Sequence, residues 1–197
     1  MSQPNISVIV PTWNSSKTIH GCLTSLKSQS LKPFEIIVVD NASSDDTLQT
    51  LAGIKNIKVI KLNINSGVVG GRNTGLQVIS SKSTHVLFFD HDMVAHPQML
   101  LNLWITSKRH RQAITTPKIY YLSHPKTIWS AGTGINLITG QVLFRNGLDT
   151  GQFDHEEPVQ VAPAAIFVKK SVTDHIGGFD SNYVSSWEDA EFCFRAK

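Results

Sequence analysis

Two cysteines in 197 residues, Cys22 and Cys193, are too few and too far apart to suggest a disulfide framework, and their spacing matches no metal-binding pair. Both are expected to stay reduced thiols in a cytoplasmic setting. No apolar run approaches the ~20 residues of a membrane-spanning helix. The chain enters an apolar strand at Ile6 with no basic leader and no small-residue cleavage site, so no signal peptide is expected. Charge is also sparse. Asp, Glu, Lys and Arg make up 17% of the residues, with a net charge of +3. A balance so mild, with its cations scattered, does not point to nucleic acid. The one basic cluster, Lys108-Arg109-His110-Arg111, suits a helix C-terminus equally well. The histidines show no paired spacing on one helix face, which argues against a zinc site. Gly67, Gly70 and Gly71 have neither the spacing nor the position of a dinucleotide fingerprint, and no Gly-Lys-Ser/Thr follows them, which removes a P-loop. Their simplest reading is close backbone approach and tight packing.

What is present is an ordinary globular composition, 41% hydrophobic, and enough length for one α/β domain over residues 1–197. Short apolar runs without alternation at Ile6–Val10, Glu35–Asp40 and His85–Phe89 read as strands buried on both faces. Ile57–Leu62 is expected to form one more. Ile19, Cys22, Leu23 and Leu26 fall at helical spacing, with Ser15 or Ser16 as the cap. A short helix over Thr47–Ile54 and a helix through Leu76 and Ile79 follow, the second behind a glycine-punctuated loop at Asn65–Asn73. Strand and helix alternate with short connections, so a mostly parallel sheet covered on both faces is expected. Residues 1–107 form this regular half. Residues 108–197 read as α+β: a strand over Ala113–Tyr121, a hairpin around Thr139-Gly140, a mobile polar loop over Asp149–Pro158, strands near Val161 and Ala164–Val168, and helices over Ser171–Ile176 and from Trp187 onward. With no linker between the halves, the second is expected to add strands to the same sheet.

Several strand ends carry side chains suited to chemistry. Asp90 and Asp92 follow a buried strand, at the edge where open α/β sheets bind ligands. Two hard oxygen ligands there suit Mg²⁺ or Mn²⁺ carrying a diphosphate. Capping of the helix that Pro97 opens would explain them as well. Trp13 suits stacking on a nucleobase or simple packing in the core. Asp40 suits a base or ribose hydroxyl, or the turn Asp-Asn-Ala-Ser-Ser. Arg72 suits a diphosphate, a carboxylate partner or an exposed helix face. Glu188-Asp189 opens the last helix, where acidic residues are common; the helix dipole there also favours the ionised form that a general base needs.

Taken together, Val-Ile-Val-Pro-Thr-Trp-Asn (8–14), Ile-Ile-Val-Val-Asp-Asn-Ala-Ser-Ser-Asp-Asp-Thr (36–47), Gly-Gly-Arg-Asn-Thr-Gly-Leu (70–76), Phe-Phe-Asp-His-Asp (88–92), Gly-Gly-Phe-Asp (177–180) and Trp-Glu-Asp-Ala-Glu-Phe-Cys-Phe-Arg-Ala (187–196) resemble a family 2 glycosyltransferase. The resemblance implies the GT-A fold, with a Rossmann-like nucleotide-binding half and an acceptor half. It implies an inverting transfer from a nucleoside-diphosphate sugar to a saccharide or lipid-linked acceptor. By position, Pro11, Thr12, Trp13, Asp40, Arg72 and Asp90 would hold the nucleotide sugar. Asp92 would ligate Mg²⁺ or Mn²⁺, Asp189 would be the general base, and Trp187 and Glu188 would meet the acceptor, Glu188 alternatively the donor sugar. The family often has an acidic residue shortly after the asparagine of the first loop; Ser15 and Ser16 stand there instead, so no role is carried over. A nucleotidyltransferase-like enzyme and a non-catalytic nucleotide-sugar-binding domain are the competing classes. Polysaccharide and cell-envelope biosynthesis, in the cytoplasm or at the inner face of the membrane, is the implied setting. The closing helix lacks a stop signal before Lys197, which reads as a chain continuing into a further segment.

Overall fold

A computed structural model describes residues 3–110, 113–183 and 186–197. The centre is a six-stranded sheet. Its parallel part contains β1 (Ile6–Thr12), β2 (Glu35–Asp40), β3 (Lys58–Lys61) and β4 (His85–Phe89). β11 (Ala165–Lys169) runs antiparallel between β4 and β5 (Ile114–Thr115), giving the order β3-β2-β1-β4-β11-β5. The chain moves outward from β1 through β2 to β3, then returns to the other side of β1 with β4. The order therefore reverses at β1 and β4, and their carboxyl ends frame the crevice where such sheets take ligands.

Both faces are covered, as the unbroken apolar runs require. Val8, Val10, Leu87 and Phe89 face α1 (Ile19–Lys27), α2 (Thr47–Ala52) and α4 (Met99–His110). Ile9, Val86, Phe88, Ile166 and Val168 face α3 (Gly67–Gln77), α5 (Lys170–Ile176) and α6 (Glu188–Arg195). The alternation along each strand sends successive residues into opposite cores.

Four local expectations need correction. The glycine-punctuated stretch is mostly helix: α3 starts at Gly67 and carries Gly70, Gly71 and Gly75 inside it. Packing overrides their poor helix propensity. A Cβ on Gly75 would lie 2.3 Å from Ile9 Cγ2, and one on Gly71 would lie 2.8 Å from both Pro11 Cβ and Asn41 Nδ2. The single strand at 113–121 is two, β5 and β6 (Ile119–Tyr121), because Pro117 between them cannot donate to a ladder. β6 leaves the main sheet and joins β7 (His124–Ser130) and β10 (Gly147–Leu148). The second half thus lends the main sheet only β5 and β11, while β8 (Thr133–Ile135) and β9 (Val142–Phe144) form the expected hairpin as a sheet of their own. Finally, Thr18 rather than Ser15 or Ser16 stands at the N-cap position of α1, without a side-chain cap bond, and the buried Ser15 hydroxyl turns to Thr12 Oγ1.

Gly75→Ala is expected to lower stability by about 1–3 kcal/mol, because the added methyl meets the fully buried Ile9. A thermal melt should show it at about 2–4 °C per kcal/mol. An unchanged Tm would mean that α3 does not rest on Ile9 as described.

Candidate functional site

At the end of β1, Pro11 and Thr12 are buried, while Trp13 is 51% exposed, which rules out its reading as a core tryptophan. The loops after β1 and β2 are stitched together. The Asn41 amide donates to the Thr12 carbonyl (2.8 Å), the Ser44 amide to Asn14 Oδ1 (2.8 Å) and the Asn14 amide to Ser43 Oγ (2.9 Å). Asp40 is fully buried beneath them. Its Oδ2 accepts the Ser43 amide at 3.3 Å, but its Oδ1 is buried without a partner among the described residues. The turn therefore accounts for one carboxylate oxygen and leaves the other needing a donor. A buried acceptor left unsatisfied costs about 1–3 kcal/mol, more when charged.

The same edge holds a second cluster around Arg72. Its side chain, from the middle of α3, is 2% exposed, so it is no surface helix residue. Nη2 donates to Asp90 Oδ1 at 3.0 Å and Nη1 to Glu188 Oε1 at 3.3 Å. Its Cζ stands 5.0 Å from the centroid of the Phe179 ring. Arg72 Nε and Glu188 Oε2 are buried with no partner among the described residues. A guanidinium's planar fork can hold two carboxylates at once, which a lysine could not do. Burial, the larger effect, raises the Asp90 carboxyl above its usual range against the pull of Arg72. Burial and then the Glu188 charge likewise raise Asp189. Asp189 Oδ1 accepts the Ala190 amide at 2.7 Å, so part of the expected helix-start role is real. Trp187, just before it, is exposed and left-handed at φ 69°, an uncommon conformation for a bulky residue.

Asp92 is exposed. Neither Asp90 nor Asp92 caps a helix, since α4 starts only at Met99. Both carboxylates line an open cleft of about 1260 Å³ that extends past α4 to Lys118, Tyr120, Trp129 and Arg145. Trp13, Asp40, Arg72, Trp187, Glu188 and Asp189 are not on its wall. The expected residues thus fall into three groups: Pro11, Thr12, Trp13 and Asp40 at the ends of β1 and β2; Arg72, Asp90 and Glu188 in direct contact, with Trp187 and Asp189 flanking Glu188 in the chain; and Asp92, together with Asp90, at the cleft. Arg111 of the basic cluster lies outside the described residues.

Sequence reasoning gave no role to two asparagines. Asn41 accepts from Ser66 Oγ at 3.1 Å and donates to the Gly67 carbonyl at 3.2 Å, tying β2 to the start of α3. Asn73 donates to the Phe179 carbonyl and accepts the Phe179 amide, both at 2.8 Å, which sets the ring beneath Arg72. The available signal was adjacency: each asparagine directly follows a residue singled out for chemistry.

Residues 7–176 match the glycosyl transferase family 2 profile. The chain belongs to that family. It is 31% identical over 153 residues to the poly(ribitol-phosphate) beta-glucosyltransferase of Bacillus spizizenii, covering 72% of this chain and 24% of that protein. It is 31% identical over 120 residues to the Escherichia coli UDP-Glc:alpha-D-GlcNAc-diphosphoundecaprenol beta-1,3-glucosyltransferase WfaP, covering 59% of this chain and 43% of that protein. A structure of Staphylococcus aureus TarS in complex with UDP-GlcNAc aligns with a TM-score of 0.71 and 26% identity, over 97% of this chain and 52% of that one. The chain thus spans about a quarter to half the length of these relatives. The expected GT-A architecture, a mostly parallel α/β sheet, is the observed one. Among the described residues, no helix is long and apolar enough to cross a membrane.

Proposed function

We propose that this chain is the catalytic portion of an inverting glycosyltransferase that moves a sugar from a nucleoside-diphosphate sugar to a hydroxyl of a saccharide or lipid-linked acceptor. One observation carries the reading. Arg72 joins the carboxylate after β4 to the one opening α6, at the same sheet edge where Asp40 keeps a buried oxygen in need of a donor. In this reading Asp40 accepts from the base or a ribose hydroxyl, and Trp13 stacks on the base. Pro11 and Thr12 shape the nucleoside floor, Asp90 approaches the ribose, and Arg72 holds Asp90 and Glu188 in place. Asp189 takes the proton as the acceptor oxygen attacks the anomeric carbon, and the nucleoside diphosphate leaves from the opposite face. Burial of Asp189 strengthens it as a base. Trp187 and Glu188 meet the acceptor.

Asp92 offers an exposed carboxylate, and among the described residues no group of three or more His, Cys, Asp or Glu could hold a metal ion. That donor would suit Mg²⁺ or Mn²⁺ carried in by the diphosphate, with Asp92 as the residue that would hold it. Such a cation neutralises the charge that develops on the leaving phosphate.

Asp92→Ala is expected to weaken nucleoside diphosphate binding about tenfold or more in Mn²⁺ and to change it little in chelator. Isothermal titration of both proteins in both buffers checks this; equal affinities in Mn²⁺ would remove Asp92 from the metal site. Assay of the released nucleotide tests the reaction class. Nucleoside diphosphate supports transfer, whereas pyrophosphate would identify a nucleotidyltransferase.

A further inference from the structure

From Met93 to Leu148 the sequence holds no Asp or Glu, yet it supplies Lys108, Arg109, Arg111, Lys118, Lys126 and Arg145. Acid then returns all at once, as Asp149, Asp154, Glu156 and Glu157. In the fold these two stretches meet across the large cleft. Glu156 accepts from Arg109 Nη1 at 2.7 Å and Thr106 Oγ1 at 2.6 Å, and lies 2.6 Å from His110 Nε2. Glu157 accepts from Arg145 Nη2 at 2.8 Å, and Arg145 stacks on Phe153 with Cζ 4.4 Å from the ring centroid. Lys118 Nζ donates to Asp154 at 2.6 Å and Asp149 at 3.1 Å. Arg109, Lys118 and Arg145 all line the cleft that begins at Asp90 and Asp92. The polar loop read from the sequence as mobile is, in the fold, held down along its length by charge.

Exposure separates the Glu156 and Glu157 pairs from the Arg72 cluster, whereas the Lys118–Asp149 pair, at 20% and 19%, is a shielded anchor at the start of the segment. Side-chain exposure is 59% for Arg109 and 35% for Glu156, and 26% for Arg145 and 37% for Glu157. Ion pairs of that kind are weak and salt-sensitive. They hold a segment in place without locking it, so a competing polyanion can replace its carboxylates on the same cations.

We infer that residues 154–157 form a displaceable acidic strap over an anion-binding acceptor cleft, whose carboxylates stand where the phosphate groups of a phosphate-bearing acceptor would sit. The cleft cations supply the binding, and Tyr120 and Trp129 on its wall supply faces for sugar rings. A neutral acceptor would have no charge with which to displace the strap. This inference rests on the transferase reading for the direction in which the acceptor is presented, namely out of the cleft past Asp90 and Asp92 toward Asp189, which lies off the cleft wall beside the Arg72 cluster.

The test uses inorganic tripolyphosphate, titrated in chelator at low salt. The wild-type chain should bind it. Glu156→Gln/Glu157→Gln should bind about tenfold more tightly, the size expected from removing two exposed ion pairs. Lys118→Gln/Arg145→Gln should lose binding. A probe without variants is cleavage by a glutamate-specific protease after Glu156 (the bond after Glu157 precedes Pro158 and resists such enzymes), which should speed up several-fold when tripolyphosphate releases the strap. Equal affinity of wild type and Glu156→Gln/Glu157→Gln, binding that survives Lys118→Gln/Arg145→Gln, or cleavage that slows with tripolyphosphate would each overturn the strap. Titration of nucleoside diphosphate in Mn²⁺ is run alongside. Its failure with the strap results intact would count against the donor reading alone.

Discussion

Replacing Arg72 by methionine is expected to cost the fold about 3–5 kcal/mol, the penalty for stranding a carboxylate in the interior. The Arg72–Glu188 pair is buried on both sides, with side-chain exposures of 2% and 10%. Its Asp90 partner is 31% exposed, so water offsets part of the loss there. The loss should depend on pH, and the direction follows from Asp90. Its carboxyl is already raised by burial, and Arg72 is the largest influence pulling it down. Without the guanidinium it rises further. A group whose folded pKa lies above its unfolded value favours the fold when protonated, and that contribution is lost as pH rises through the folded value. The variant's deficit should therefore be largest near neutral pH and shrink as the solution is acidified. Denaturant titrations at a series of pH values measure this. A pH-independent deficit would mean that lost packing against Phe179, not lost charge pairing, dominates. Arg72→Lys should recover little, since one ammonium cannot reproduce the two-pronged contact.

Asp189→Asn is expected to lower the transfer rate by about 10²–10⁴-fold while nucleotide binding stays near wild type. The amide keeps the shape of the side chain but cannot take a proton. Wild-type activity should also fall on the acid side at a pH above the ordinary aspartate value of about 4, because burial and the neighbouring Glu188 charge raise Asp189. The base works only when ionised, so the rate climbs as pH rises through that value. In the asparagine variant this limb should be missing from the residual rate. Transfer at the wild-type rate, or an unchanged acid limb, would place the base elsewhere.

The sequence alone determined the parallel core and the positions of its loops. Uninterrupted apolar runs at β1, β2 and β4 are local patterns, and a strand that is apolar throughout can only be buried on both faces. Because strand ends are equally local, Trp13, Asp40 and the Asp90-His91-Asp92 stretch could be assigned to one edge once the alternation with helices was recognised. Tertiary structure decided the character of each residue. Arg72 and Glu188 are separated by 116 positions and meet only because α3 and α6 pack on the same face of the sheet. No periodicity marks a buried arginine in a glycine-rich helix. The glycines of α3 look like loop residues until Ile9 and Pro11 are seen pressed against them. The acid-free and acid-rich stretches look like composition until the fold lays one over the other. Long-range pairing of charge depends on how far each group is buried, a property of the assembled chain that no window of sequence contains.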